Sequence, residues 1–168
     1  MSVKKMPRST WIQLVLLLLV IVFWLASCSP ARIHSDTPFE QVAAAVSEKA
    51  GGDYYPAMDA AKARKYISIS DDDCTSWAFF RTTDAYNAQE LLVAQFESEE
   101  QADALQEVID SRISRQIQTY QGYAPAQESL VKDAVIDLQD NYVLYYVGED
   151  PKGVQKAFEE ALRQGGSQ

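Results

Sequence analysis

The 168-residue sequence predicts an α+β domain in which helices cover one face of an antiparallel sheet of about four strands. Short apolar and aromatic runs occur in two pairs, and a polar connection joins the members of each pair. The longer runs around these pairs repeat their apolar residues every three or four positions, which is typical of helices. We therefore expect a single domain over residues 37–164, followed by a disordered tail at residues 165–168.

The first helix is predicted to begin at a capping box. Thr37 would act as the N-cap, Pro38 would occupy the first helical position, and Glu40 lies three residues after the threonine. Gly51-Gly52 is expected to end this helix. A second, short helix is predicted over residues 59–66.

The first strand pair is predicted at residues 75–82 and 90–96, as antiparallel neighbours. A second capping box at Ser98 then begins a long helix that runs to about Tyr120. The apolar stripe expected to face the core comprises Ala102, Leu105, Ile109, Ile113, Ile117 and Tyr120, whereas Arg112, Arg115 and Gln116 are expected on other faces. Gly122 and Pro125 break this helix and lead to the second strand pair.

The second strand pair, residues 134–139 and 142–147, flanks Asp140-Asn141, two residue types that suit a two-residue hairpin turn. With Gln139 opposite Tyr142, the pairs on one face become Leu138 with Val143, Ile136 with Tyr145, and Ala134 with Val147. This apolar face is expected to meet the helices. Asp150-Pro151 begins a last amphipathic helix, which Gly165-Gly166 ends.

The first 27 residues have the properties of an export signal. Lys4, Lys5 and Arg8 precede an apolar run from residue 11 to residue 24, and Leu25-Ala26-Ser27-Cys28 follows it. This arrangement resembles a bacterial lipobox, in which signal peptidase recognises Leu25, Ala26 and Ser27 and Cys28 becomes the lipid-bearing first residue. Residues 28–36 would then form the lipid-bearing end and a polar tether. The alternative is an uncleaved single-span anchor, for which residues 11–27 are barely long enough.

The charge, cysteine and histidine content argues against nucleic-acid binding and against catalysis by a thiol or a histidine. Cleavage would remove three of the 15 basic residues and none of the 24 acidic ones, which leaves a net charge of about −12. Nucleic acid is therefore not an expected partner. Of the two cysteines, only Cys74 would remain as a thiol, and it is expected to be buried and inert. The single histidine, His34, lies in the tether, outside any catalytic triad.

Several of these segments together resemble a known family of small exported bacterial lipoproteins, classed as domain of unknown function 4358. The matching pieces are the strand-to-helix step at residues 96–104, Tyr123-Ala124-Pro125, the strand at 134–138, Asn141-Tyr142-Val143 and the final helix at 148–162. The resemblance covers most of residues 37–162 and is weakest over residues 51–73. It implies the fold and export, and it carries no activity.

No catalytic, metal or cofactor site is predicted. Asp71-Asp72-Asp73 lacks the spacing of a calcium loop and is interpreted as a solvated turn. Tyr142 and Tyr146, placed on the sheet face away from the helices, are the proposed aromatic binding patch. We expect a non-enzymatic lipoprotein on the extracytoplasmic side of the cell membrane, bound there through Cys28, whose partner is an envelope protein, a peptide or a wall glycan. An extracytoplasmic hydrolase that uses carboxylates and tyrosines is the alternative.

Overall fold

A computed structural model describes residues 35–51 and 56–165 of the chain. Leu25, Ala26, Ser27, Cys28 and His34, and therefore the predicted leader and most of the tether, lie outside the described residues. The elements are α1 (Phe39–Lys49), α2 (Ala60–Ala63), β1 (Ser76–Arg81), β2 (Glu90–Gln95), α3 (Glu99–Tyr120), α4 (Pro125–Lys132), β3 (Val135–Gln139), β4 (Tyr142–Val147) and α5 (Pro151–Gly165). The α+β class is confirmed.

The four strands form one antiparallel sheet in the order β1-β2-β4-β3. The predicted hairpin register is confirmed, because Gln139 pairs with Tyr142 and Leu138 pairs with Val143. Asp140 occupies the turn with a φ of 50°, a left-handed conformation that aspartate tolerates better than most residues.

Helices cover both faces of the sheet, so the prediction of a single covered face is wrong. Because side chains alternate along a strand, each strand contributes to two cores. On one face α3 and α4 pack over a core whose buried sheet residues are Phe79, Leu92, Ala94, Val143, Tyr145 and Val147. On the other face α1 and α5 pack over a core whose buried sheet residues are Phe80, Leu91, Val93, Tyr142, Leu144 and Tyr146. β4 is consequently buried along its whole length.

The two predicted capping boxes have different outcomes. Ser98 caps α3 as expected, since its hydroxyl accepts a hydrogen bond from the Gln101 amide at 3.2 Å. Thr37 does not cap α1, whose N-cap residue is Pro38 and has no side-chain cap. The Thr37 hydroxyl instead donates to the Ala161 carbonyl oxygen in α5 at 3.0 Å.

The folded part begins before the predicted boundary at residue 37. Ser35 is buried, and its hydroxyl donates to the Leu162 carbonyl oxygen of α5 at 2.7 Å. The Tyr142 hydroxyl donates to the Thr37 carbonyl oxygen at 2.8 Å. Ser35 and Thr37 thus fix the start of the domain to the end of its last helix, a contact that we call the N-terminal clasp.

The structure also contains a helix that the sequence analysis missed. Pro125, interpreted as a helix breaker, occupies the beginning of α4, where its missing N–H has no cost. Across residues 35–51 and 56–165, the structure contains no helix with the length and apolar character required to span a membrane.

Candidate functional site

The proposed aromatic patch is buried. Tyr142 has no exposed surface and Tyr146 is 3% exposed, because α1 and α5 cover the face that was expected to be open. Among the described residues, the large apolar side chains that are exposed are Tyr86, Tyr123 and Leu138. The prediction that Tyr142 and Tyr146 form an accessible binding surface is therefore wrong.

Cys74 and the neighbouring acids have structural surroundings. Cys74 is buried, and burial together with the charges of Asp73 and Asp71 raises the pKa of its thiol to about 12. Asp71 pairs with Arg64 at 2.9 Å, and Asp73 accepts a hydrogen bond from the Ser70 amide at 2.7 Å. Within the described ranges, no group of three or more acids, cysteines and histidines has an arrangement that could hold a metal ion.

The sheet face below α3 contains a buried carboxylate. Glu90, the first residue of β2, has no exposed surface. Its two carboxylate oxygens accept hydrogen bonds from Nε and Nη2 of Arg112 in α3, at 2.8 and 2.7 Å. The Tyr145 hydroxyl donates to Oε1 of Glu90 at 2.9 Å, and burial raises the pKa of this phenol well above its ordinary value. The carboxylate is therefore engaged on both oxygens.

A second buried guanidinium lies beside this pair. Arg81, the last residue of β1, places its Nε 3.7 Å from Oε2 of Glu90, too far for a hydrogen bond. Its Nη1 and Nη2 donate long hydrogen bonds to the carbonyl oxygens of Thr82 and Asn87, at 3.3 and 3.5 Å. The Tyr66 ring lies 4.5 Å from the Arg81 guanidinium carbon and supports it through a cation–π contact.

Both arginines line a cavity of about 190 Å³, which we call the arginine cavity. Its lining residues are Tyr66, Arg81, Ala85, Arg112, Gln116, Thr119 and Tyr120. Two buried polar atoms of this lining have no hydrogen-bond partner in the described structure: Nε of Arg81 and Oε1 of Gln116. Burial raises the pKa of the Tyr120 hydroxyl, so this lining residue is neutral at physiological pH. The arginine cavity is therefore lined by two buried arginines, whose counterion Glu90 lies behind them, and two polar atoms of its lining residues have no partner among the described residues.

Two larger cavities differ in character. One, of about 400 Å³, lies beside Phe39, Met58 and Trp77, and the other, of about 420 Å³, lies beside Lys49 and Asp150. The charged side chains that line both of them are solvent-exposed. Such groups keep their hydration and their counterions, so the buried, incompletely paired groups of the arginine cavity are the stronger indication of a binding site.

This site was not predicted, because helical periodicity put Arg112 and Gln116 on faces of the long helix other than its apolar stripe. The buried positions of α3 are Leu105, Ile109, Arg112, Gln116 and Tyr120. One residue in the sequence does indicate the site: Glu90 is a charged residue at the start of an apolar strand. A carboxylate buried there needs a cationic partner from a helix that covers the sheet.

Comparisons with known proteins identify the family of this chain but do not indicate an activity. Residues 52–148 match a family model described as Domain of unknown function (DUF4358). No curated protein matches the chain, and no solved structure matches it.

Proposed function

This chain belongs to the family described as Domain of unknown function (DUF4358), and from that premise we propose that it is a lipid-anchored, extracytoplasmic binding module without enzymatic activity. The anchor would be formed by acyl chains on Cys28, and the binding site would be the arginine cavity. The ligand would come from the cell envelope, as part of a protein, a peptide or a wall component.

The sequence order before Cys28 supports the anchor. Basic residues, an apolar run, Leu25, and then the small residues Ala26 and Ser27 are what a lipoprotein signal peptidase requires, whereas a plain anchor has no need of this order. More than one acyl chain would hold the protein stably at the membrane, since a single chain gives only marginal binding.

Mass spectrometry of the chain purified from membranes tests this anchor. We expect a mature N-terminus at Cys28 with the added mass of acyl chains, and no such mass on a Cys28→Ser variant. An intact leader with unmodified Cys28 would contradict the proposal and favour the single-span alternative.

The pairing of charges around Glu90 is the observation on which the binding role depends. A hydrolase with two carboxylates needs acids whose oxygens are free to hold a proton or attack a substrate. Glu90 instead directs both oxygens to Arg112 and one to Tyr145. The groups left incompletely paired are a donor of Arg81 and an acceptor of Gln116, which supports recognition of a ligand rather than hydrolysis.

Site-specific crosslinking in intact cells tests the binding role. A photo-crosslinking amino acid at Thr119, which lines the arginine cavity, is compared with the same group at the exposed Glu107 of α3. We expect an adduct that depends on position 119 and that an added Arg81→Gln change removes. Equal adducts at both positions would contradict a site at the cavity, and a ligand recovered in chemically altered form would contradict the absence of enzymatic activity.

A further inference from the structure

We infer that the arginine cavity binds the C-terminal carboxylate of a peptide whose last residue is small, together with the amide N–H of that residue. This inference rests on the proposed binding function and specifies the chemistry of its ligand. Four properties of the cavity lead to it: its charge, the geometry of Arg81, the environment of Gln116, and its volume.

The charges of the cluster favour a ligand with one negative charge. Arg81 and Arg112 are 7% and 9% exposed, and among the described residues Glu90 is the single buried acid that faces them. The hydroxyls that surround the pair, those of Tyr120 and Tyr145, are neutral because burial raises the pKa of each. One buried positive charge is therefore without a full counterion, and an additional anion would compensate it.

The two arginines differ in how they use Glu90. Arg112 binds the carboxylate through two short parallel hydrogen bonds, which is the strongest geometry for this pair. Arg81 makes no hydrogen bond to Glu90, and its Nε has no hydrogen-bond acceptor among the described residues. Arg81 lines the cavity, and its guanidinium makes only long hydrogen bonds to carbonyl oxygens, so it suits a second carboxylate.

Gln116 has a buried acceptor that a donor from the ligand would satisfy. Its Nε2 donates to the Ala88 carbonyl oxygen at 3.3 Å, which directs the opposite oxygen elsewhere, and that buried Oε1 has no partner in the described structure. A neutral amide N–H next to a carboxylate would satisfy this acceptor. The ammonium group of a free amino acid would instead bring a positive charge towards two arginines, so a peptide C-terminus fits better.

The volume of the cavity suits a small terminal group. The cavity of about 190 Å³ is partly open to solvent and has room for several water molecules. The carboxylate and the last residue of a peptide would fit in this space, with the preceding residues outside it. Ala85 contributes a small apolar side chain to the wall, which suits a methyl group on the last residue.

Isothermal titration calorimetry on the full chain in detergent tests the inference with small probes. N-acetylalanine has the carboxylate and the amide N–H, N-acetylalanine amide lacks the carboxylate, propionate lacks the N–H, and alanine has an ammonium group. We expect saturable one-to-one binding of N-acetylalanine and weaker binding of the other three. The loss should be about tenfold or more for N-acetylalanine amide, which lacks the charged hydrogen bond, and smaller for propionate, which lacks a neutral one.

Three variants locate the effect. Arg81→Gln should weaken N-acetylalanine binding about tenfold or more. Arg115→Gln, which removes the same charge from an exposed position of α3, should leave it unchanged. Gln116→Met should weaken N-acetylalanine but not propionate, a difference that a general loss of structure would not produce. If Arg81→Gln fails to fold, the comparison of these two probes on Gln116→Met decides the matter.

The outcomes separate this inference from the proposed function. Equal binding of N-acetylalanine and its amide, or equal losses in Arg81→Gln and Arg115→Gln, would overturn the inference. Binding of inorganic phosphate without binding of N-acetylalanine would also overturn it, and so would an absence of N-acetylalanine binding while the crosslink at position 119 persists. In the last two cases the cavity remains a binding site with another ligand, whereas loss of the crosslink as well would remove the proposed function itself.

Discussion

Arg112 in α3 and Glu90 in β2 join helix to sheet through two hydrogen bonds of 2.8 and 2.7 Å, at a point where the carboxylate has no contact with solvent. A buried ion pair of this kind adds little stability over an apolar pair, yet breaking it leaves a charge in a medium that cannot solvate it. Glu90 lies between two guanidinium groups, so its removal would leave both without their buried counterion.

Glu90→Gln is expected to lower the free energy of unfolding by about 3–5 kcal/mol, because the Arg112 charge stays buried without a partner. Glu107→Gln, an exposed change of the same chemistry on α3, is expected to alter it by less than about 0.5 kcal/mol. Urea denaturation followed by circular dichroism measures both.

The double variant Glu90→Gln with Arg112→Met checks the reason for that loss. It should be less destabilised than the sum of its single variants by about 1–3 kcal/mol, since neither charge of the pair remains. Additive effects would show that the two side chains do not act as a pair.

The hairpin turn tolerates some residues at position 140 and not others. Asp140 has a φ of 50°, and a β-branched side chain is strained in that conformation. Asp140→Val is expected to cost about 1–2 kcal/mol more than Asp140→Gly, since both variants lose the hydrogen bond from the Ser35 amide to the Asp140 carboxylate. Asp140→Asn, which keeps an acceptor, should remain close to the wild type. Chemical denaturation of the three variants gives the comparison, and a Val variant as stable as the Asn variant would contradict the role of the turn.

The Ser98 cap stabilises the first turn of α3, the helix that provides Arg112. Ser98→Ala removes the acceptor for the Gln101 amide and is expected to cost about 1 kcal/mol. Ser111→Ala, at an exposed position within the same helix, serves as the control and should be neutral or slightly stabilising. A loss as large at position 111 would show that the cap is not responsible.

The thiol of Cys74 is expected to be unreactive in the folded chain. Burial raises its pKa to about 12, so little of the nucleophilic thiolate is present at pH 8. Burial also keeps a thiol reagent from reaching the sulfur. Ellman's reagent should modify Cys74 slowly in buffer and rapidly in denaturing urea, provided that Cys28 is replaced by Ser.

Ionisation of the Cys74 thiol is expected to lower the stability of the folded chain at high pH. Because the folded pKa lies above the unfolded one, the protonated thiol favours the folded state, and this contribution is lost as the pH rises through the window up to about 12. Cys74→Ala should therefore lose stability less steeply with rising pH than the wild type. Equal slopes would show that the thiol does not contribute.

Local signals in the sequence were sufficient for much of the fold. Asp140-Asn141 fixed the register of the last hairpin, and the Ser98 box located the start of the long helix, because both depend on neighbouring residues alone. The sequence of β4, Tyr142–Val147, also contained an unused signal. Six consecutive apolar residues indicate a strand covered on both faces, whereas one open face was predicted.

The arginine cavity depends on contacts between residues that are distant in the sequence. Arg112 is charged, and helical periodicity alone places such a residue in solvent. Arg112 is buried because it pairs with Glu90, 22 positions earlier in the chain. This pairing can be predicted only if the packing of α3 on β2 is already known. Thr37 shows the same limit, since a residue with a good capping pattern bonds to a helix more than 120 positions away.

The N-terminal clasp has a mechanical consequence. Ser35 and Thr37 bond to the carbonyl oxygens of Leu162 and Ala161, so the chain enters the domain where its last helix ends. A load that pulls residue 35 away from the domain would therefore act first on the hydrogen bonds of Ser35 and Thr37 to α5, and only afterwards on the packing of α1 against the sheet. Two residues at the predicted boundary of the tether would thus be the first to resist mechanical unfolding.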